Sequence, residues 1–290
     1  MTADARLFDL GYRAYEGVRE RPARAILTLA VFTVRRVLGL GRGARHKVLP
    51  AITLAIAFLP ALTSVAFSVI ADNIATGDLI TYGDYMFIIG SALALFAALI
   101  APEALCPDRR TGMLGLYLAG PLDRNRYLLA KGLGVLAVML LITVGPLLFM
   151  LAAFVIAGHG PSVGETPLLL LRIAATGLVT ALLYASLSMA VSSLTTRRAA
   201  AAVGVVLLLL VPASVIRPAI DAGAPNVLDL LSFPFVVFDL SYRIFGEQPD
   251  DNTAPVRELA TWVVAGGVAA AIVAGALVCW FRYRRMEAFR

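Results

Sequence analysis

An all-α integral membrane protein is the fold class this sequence predicts, and three observations predict it. Of its 290 residues, 60% are hydrophobic and only 15% charged, where a soluble domain usually sits near half apolar and a quarter charged. Six uncharged runs, at 48–71, 85–102, 133–157, 173–194, 199–216 and 259–281, are long enough at about 1.5 Å per residue to cross or nearly cross a ~30 Å hydrocarbon core. Lysine and arginine collect in alternate connections between those runs, which hold 21 of the 25 basic residues. The alternating pattern of a membrane barrel is absent. The spans are therefore helices, which satisfy their backbone hydrogen bonds internally in lipid.

The charge pattern sets the topology. The basic clusters run from Arg6 to Lys47, from Arg109 to Lys131, at Arg197-Arg198 and from Arg282 to Arg290. Placing them in the cytoplasm puts both termini inside. The net charge of +6 is thereby a topology signal, and no nucleic-acid partner is expected. Arginine outnumbers lysine 23 to 2, a composition that points to a GC-rich bacterial genome and to the bacterial cytoplasmic membrane. Residues 1–24 are polar and the apolar stretch 25–34 ends at Arg35-Arg36 without a small-residue cleavage site, so no cleavable signal is expected. Cys106 and Cys279 both fall near cytoplasmic ends of spans and are expected as free thiols.

Residues 1–47 form an N-terminal cytoplasmic and interfacial segment. Arg21, Arg24, Thr28 and Arg35 recur at helical spacing, while Ile26, Leu27, Leu29, Val31, Phe32 and Val34 take most of the remaining surface. That pattern predicts an amphipathic helix in the membrane interface. The permease body is 48–281, with spans at about 48–71, 85–105, 129–157, 168–194, 199–216 and 258–281, and 282–290 is a basic tail. Span one carries Pro50 and Pro60. Gly158-His159-Gly160-Pro161 is a turn-rich external link, and Thr195-Thr196-Arg197-Arg198 a tight cytoplasmic one. The external segment 217–257 holds five prolines yet also Phe233, Pro234, Phe235 and Phe238. A solvated loop would not need those rings. Two short helices broken at Pro234, either re-entrant or resting on the bundle as a cap, would bury them.

Much of the chemistry is defined by what is missing. There is no G-x-x-x-x-G-K-[ST] phosphate loop, no H-E-x-x-H, no G-x-S-x-G and no His or Cys pair at metal spacing. No catalytic, cofactor-binding or metal residues are expected in this chain. Ionisable groups are nearly absent from the spans; Glu103 sits at the cytoplasmic end of span two and Arg172 at the outer end of span four. Pumps driven by protons or sodium keep carboxylates near midplane, so any transport here takes its energy from elsewhere. Ser186, Ser188, Ser192 and Ser193 on span four are the small polar residues that let membrane helices pack closely.

The connection from Asp108 to Lys131 is the informative one. Thr111 suits the N-cap of a short helix with Asp108 near its positive end. Met113, Leu114, Leu116, Tyr117 and Leu118 give that helix an apolar side, Gly120 and Pro121 end it, and Asp123 caps the next one. The result is a compact helix held crosswise beneath the membrane, suited to another protein's groove or to the lipid interface.

Asp108-Arg109-Arg110-Thr111-Gly112-Met113, then Leu116, Leu118, Pro121-Leu122-Asp123-Arg124 and Leu128-Leu129-Ala130-Lys131, resemble the cytoplasmic loop of ABC-2 type exporter permeases. That family shows E-R-x-x-G-T, a leucine pair, P-[VI]-[ST]-R and a Lys at the start of span three. Here Asp108 stands for the usual Glu, Met113 for the usual Thr, and Pro107 precedes the motif. The layout of the whole chain is similar too, as is the start Gly11-Tyr12-Arg13-Ala14-Tyr15-Glu16-Gly17-Val18-Arg19. The resemblance implies that two permease copies, identical or related, form the path, and that separate ATPase chains carrying Mg-ATP supply the power. It implies that the loop helix, with Asp108, Arg109, Arg110, Thr111, Gly112, Met113, Leu114, Leu116, Tyr117, Pro121, Arg124 and Lys131, docks on the ATPase. Tyr12, Arg13, Tyr15, Arg19, Arg21 and Arg24 would add an N-terminal contact. Without the resemblance, an ATPase-independent scramblase or secondary transporter, or a membrane scaffold, fits the same composition.

Overall fold

The computed structural model describes residues 22–70, 81–119, 122–158, 160–247 and 258–286. Among them every regular element is a helix: α1 (Pro22–Val37), α2 (Arg45–Ile70), α3 (Tyr82–Ile88), α4 (Gly90–Arg110), α5 (Met113–Ala119), α6 (Arg124–Thr143), α7 (Gly145–Ile156), α8 (Thr166–Leu194), α9 (Arg198–Asp221), a 3-10 helix (Asn226–Leu231), α10 (Phe233–Phe245) and α11 (Thr261–Arg284). Six helical stretches are long and apolar enough to cross a membrane: His46–Phe67, Gly90–Arg110, Arg124–Ile156, Thr166–Leu194, Arg198–Asp221 and Thr261–Arg284.

The breaks have local causes. The Thr81 hydroxyl accepts a hydrogen bond from the Asp84 amide and the Asp84 carboxylate accepts one from the Thr81 amide, a capping box that starts α3. Ile89 leaves helical geometry between α3 and α4, so the second membrane-length helix begins at Gly90, five residues after the expected start. The third span divides at Val144, where Pro146 removes an amide donor in the first turn of α7. Thr143 holds that joint by donating to the Met139 carbonyl at 3.1 Å and, across to α8, the Gly177 carbonyl at 3.0 Å. The fifth span runs on to Asp221, through Pro212 and Pro218, past the apolar run that ends at Arg217. Arg217 is accommodated there because Asp229 pairs with it at 3.2 Å and the Phe235 ring lies 4.1 Å beneath its guanidinium.

Lipid offers no hydrophobic force between helices, so close packing depends on small residues. The buried face of α4 carries Ala92, Ala94, Ala97, Ala98, Ala101 and Ala104, which let α8 and α9 approach it. A Cβ on Gly275 of α11 would stand 2.9 Å from the Ser186 backbone of α8, and one on Gly134 of α6 would meet Ala30 and Thr33 of α1 at under 3 Å. Ser186, Ser188, Ser192 and Ser193 each donate to a carbonyl three or four residues back in α8, so their polarity is satisfied within the helix and their size serves packing. The second span is the core, with 72% of an 18-residue apolar stretch buried; the same length of the first, fifth and sixth buries 22% and leaves broad apolar faces outward. Cys106 and Cys279 are free and buried.

Candidate functional site

Two carboxylates on α4, Glu103 and Asp108, organise the end of the bundle where α1, α5 and the α8–α9 turn meet. Asp108 is fully buried. Lys131 of α6 brings its ammonium to 2.7 Å from Asp108 Oδ2, and Arg36 of α1 donates to Oδ1 at 2.6 Å. The Tyr127 hydroxyl donates to Oδ2 at 3.0 Å. Tyr127 and Lys131 are four residues apart, hence on one face of α6. Glu103 gathers three arginines: Arg42 at 2.8 Å, Arg198 at 2.5 Å and Arg36 at 3.6 Å. The pair of acids thus ties together α1, the turn after it, α4, α6 and the start of α9. A buried charge persists only when paired in this way.

A column of aromatic rings passes through the same node. Tyr117 of α5, Tyr127 of α6 and Tyr283 of α11 follow one another at 5.8 and 5.9 Å between centroids. The Lys131 ammonium lies 5.8 Å from the Tyr117 ring, within cation–π reach. Burial, and then the Asp108 charge, push the Tyr117 phenol above its ordinary range, with Arg36 opposing. Tyr117 therefore stays neutral. Leu114 and Tyr117 turn the inner face of α5 into this cluster. Met113 and Leu116 point away and are 39% and 68% exposed.

The loop residues expected to act together are separated by the fold. Asp108 and Lys131 are buried, so they support the loop from within and present no docking surface. Arg109 turns toward the α8–α9 turn, donating to the Ser193 and Thr195 carbonyls at 2.6 and 3.2 Å. Arg124 lies apart, donating to the Arg284 carbonyl at 2.7 Å. Arg110, Thr111, Gly112, Met113 and Leu116 form the exposed set. Thr111 does not cap α5: it ends α4, its hydroxyl donating to the Pro107 carbonyl at 2.7 Å. Its proximity to that carbonyl at the last turn outcompetes an amide beyond Gly112, which carries the turn at φ +74°. Asp123 does cap α6, accepting from the Arg126 amide at 2.7 Å. Pro121, Tyr12, Arg13, Tyr15, Arg19 and Arg21 lie outside the described residues; Arg24 is exposed near the start of α1. Sequence reasoning missed Arg36, Arg42, Arg198 and Tyr127. The available signal was Glu103 with Asp108: two acids at one end of an apolar helix require bases to meet them.

The opposite end is built around α10. The chain breaks at Ser232, between the 3-10 helix and α10, with Pro234 in the first turn of α10. Phe238 is buried against Phe87, 5.6 Å between centroids, and over Gly90. Phe235 sits between Arg217 and Phe87, and Phe233 packs half-buried against the core. Farther along, Phe245 stacks on Tyr82 at 5.4 Å and its carbonyl accepts from Arg172 at 2.7 Å. Tyr242 donates to Asp84 at 2.7 Å, and the Gly83 amide to Glu247 at 2.7 Å. Burial, reinforced by Glu247, pushes the Tyr82 phenol up to about 12. Leu230 contacts Gly267, roughly 9 Å along α11 from its first residue, so the segment folds back along the bundle. Among the described residues no group of three or more metal-ligating side chains is present.

These features describe a multi-pass membrane protein: six membrane-length helices, and a short helix anchored from within by buried ion pairs. The chain matches the ABC-2 family transporter protein over residues 22–288, and it belongs to that family. Among curated proteins none matches it.

Proposed function

We propose that this chain is the membrane-spanning half of an exporter whose ATP hydrolysis resides on separate cytosolic chains. One observation carries the reading: α5 is apolar on both sides, with its inner side fastened to the Asp108–Lys131 node and its outer side, Met113 and Leu116, left exposed. An exposed apolar pair on a rigidly held helix is what a partner's groove requires. The ATPase, with Mg-ATP, would press on Met113 and Leu116. The node would then pass that displacement to α4 and α6 together, because Asp108 and Lys131 join those helices directly. Basic ends facing the cytoplasm would place α5 and both termini on the ATPase side. The outward apolar faces of α2 and α9 would serve pairing with a second permease copy.

The test is purification of the tagged full-length chain from native membranes in mild detergent, with ATPase activity as readout. Wild-type protein is expected to retain a co-purifying ATPase. Leu116→Asp is expected to lose it at least tenfold, with unchanged thermal stability because Leu116 is exposed. Absence of ATPase from the wild type, or its retention by Leu116→Asp, would overturn the reading.

A further inference from the structure

On the side of the bundle away from α1, a groove runs between α6, α8 and α11. Its volume is about 530 Å³, and its walls include Leu129, Gly132, Leu133, Met189, Ile272 and Ala276. It extends along α6 from Asn125 to Leu136, roughly 16 Å at the helical rise, or about half of a ~30 Å hydrocarbon core. Its depth is therefore that of one leaflet. At its end, beside the α5 side of the molecule, it opens into a polar mouth formed by Asp123, Arg124, Asn125, Trp280 and Arg284.

The mouth is structured. Trp280 donates its indole N–H to Asn125 Oδ1 at 3.0 Å, and the Arg284 guanidinium lies 5.0 Å over the Trp280 ring. Arg124 donates one N–H to the Arg284 carbonyl, which brings the two arginines to the same place. Asp123 is the acid there, but it caps α6 and pairs with Arg126 at 3.8 Å. Among the described residues no carboxylate pairs with Arg124 or Arg284.

We propose that this groove seats one acyl chain of an anionic phospholipid, with its phosphate at Arg124 and Arg284. The lining favours a lipid chain: it is largely apolar, with Asn125 and Ser186 its polar exceptions, over roughly the depth of one leaflet, and the arginines are confined to one end. The charge favours an anionic headgroup, since basic side chains at a membrane surface attract acidic lipid. An indole at that level matches the interfacial preference of tryptophan. The site joins α6 to α11, so its occupant would brace the last span against the third.

The protein holds only two tryptophans, Trp280 at the mouth and the exposed Trp262 at the other end of α11. Trp262→Phe therefore leaves Trp280 as the sole reporter. Full-length protein reconstituted in phosphatidylcholine vesicles is titrated with chain-brominated phosphatidylglycerol or, separately, chain-brominated phosphatidylcholine, and Trp280 quenching is followed. Phosphatidylglycerol is expected to reach half-quenching at a mole fraction roughly tenfold below phosphatidylcholine. Arg124→Gln with Arg284→Gln should erase that ratio while leaving quenching by both lipids. Gly132→Phe, at a position where a Cβ meets only the Met189 tip at 3.9 Å, should fill the groove and remove the low-mole-fraction component. Equal quenching by the two lipids in the parent, or insensitivity to Gly132→Phe in protein that elutes and melts normally, would overturn the proposal. Trp280 shielded from both lipids would place a protein helix, from a second copy or a partner, in the groove and would overturn it as well.

Discussion

At Asp108 the energetic weight of a single carboxylate is legible, because burial and partners are both known. Its side chain is 1% exposed and faces a lysine exposed to 2%. Asp108→Asn would leave Lys131 charged with no buried counter-ion, while Arg36 keeps Glu103, a loss of about 3–5 kcal/mol for breaking such a buried pair. The expected result is a melting temperature in detergent lowered by many degrees. Lys131→Met added to Asp108→Asn should recover part of that loss, since the double change removes the stranded ammonium. A recovery of zero in that cycle would show that the pair is uncoupled. Glu103 behaves differently. Its partners Arg42 and Arg198 are 35% and 50% exposed, so water and salt screen them. Glu103→Gln should cost about 1 kcal/mol or less, and the difference from wild type should shrink as salt is raised from low to molar concentration. A Glu103→Gln effect equal to that of Asp108→Asn at every salt concentration would contradict this ranking.

At the scale of the element, α5 shows what sequence patterning resolves and where it stops. The apolar run Met113 to Leu118, with Gly120 and Pro121 after it in the sequence, indicated a short helix, and one spans Met113–Ala119. The division of its apolar residues into an anchoring face and an exposed face needed tertiary contacts. Tyr117 points inward because Tyr127 and Lys131 await it from α6, a fact that no spacing within 108–131 contains. The assignment of Thr111 failed for a similar reason, since a hydroxyl can serve either side of a helix boundary and the nearer carbonyl took it. Gly112 is the hinge of this element. Its φ of +74° disfavours any side chain, yet no atom lies within 4 Å of where a Cβ would stand. Gly112→Ala therefore isolates backbone strain of about 1–2 kcal/mol from steric clash. The expectation is a small fall in melting temperature with a larger fall in transport per ATP hydrolysed, because α5 would leave its seat before the bundle unfolds. If both quantities stayed at wild-type values, α5 would not be the transmitting element.

The whole molecule is the scale at which the sequence was most informative. Apolar length and the alternation of basic connections depend on nothing tertiary, so six membrane-length helices follow from them and are present. The pairing of Arg36 with α4, and the fold of 226–245 back along the bundle, depend on which helices become neighbours. Hydropathy carries no information on that. The same alternation of charge makes a prediction about orientation that chemical labelling tests directly. Ser162 in the link between α7 and α8 and Asp123 before α6 lie at opposite ends of the span Arg124–Ile156, and both are exposed. The native Cys106 and Cys279 are buried, so they should react slowly and leave the background low. A membrane-impermeant maleimide applied to intact cells is expected to label Ser162→Cys within minutes and to leave Asp123→Cys untouched until the membrane is opened. The reverse pattern would place the basic connections outside. That would put α5 on the wrong side for any cytosolic ATPase, however well its outer face were shaped to receive one. The two placements stand or fall together, because Asp123, α5 and the Asp108 node all sit at the same end of the same helices.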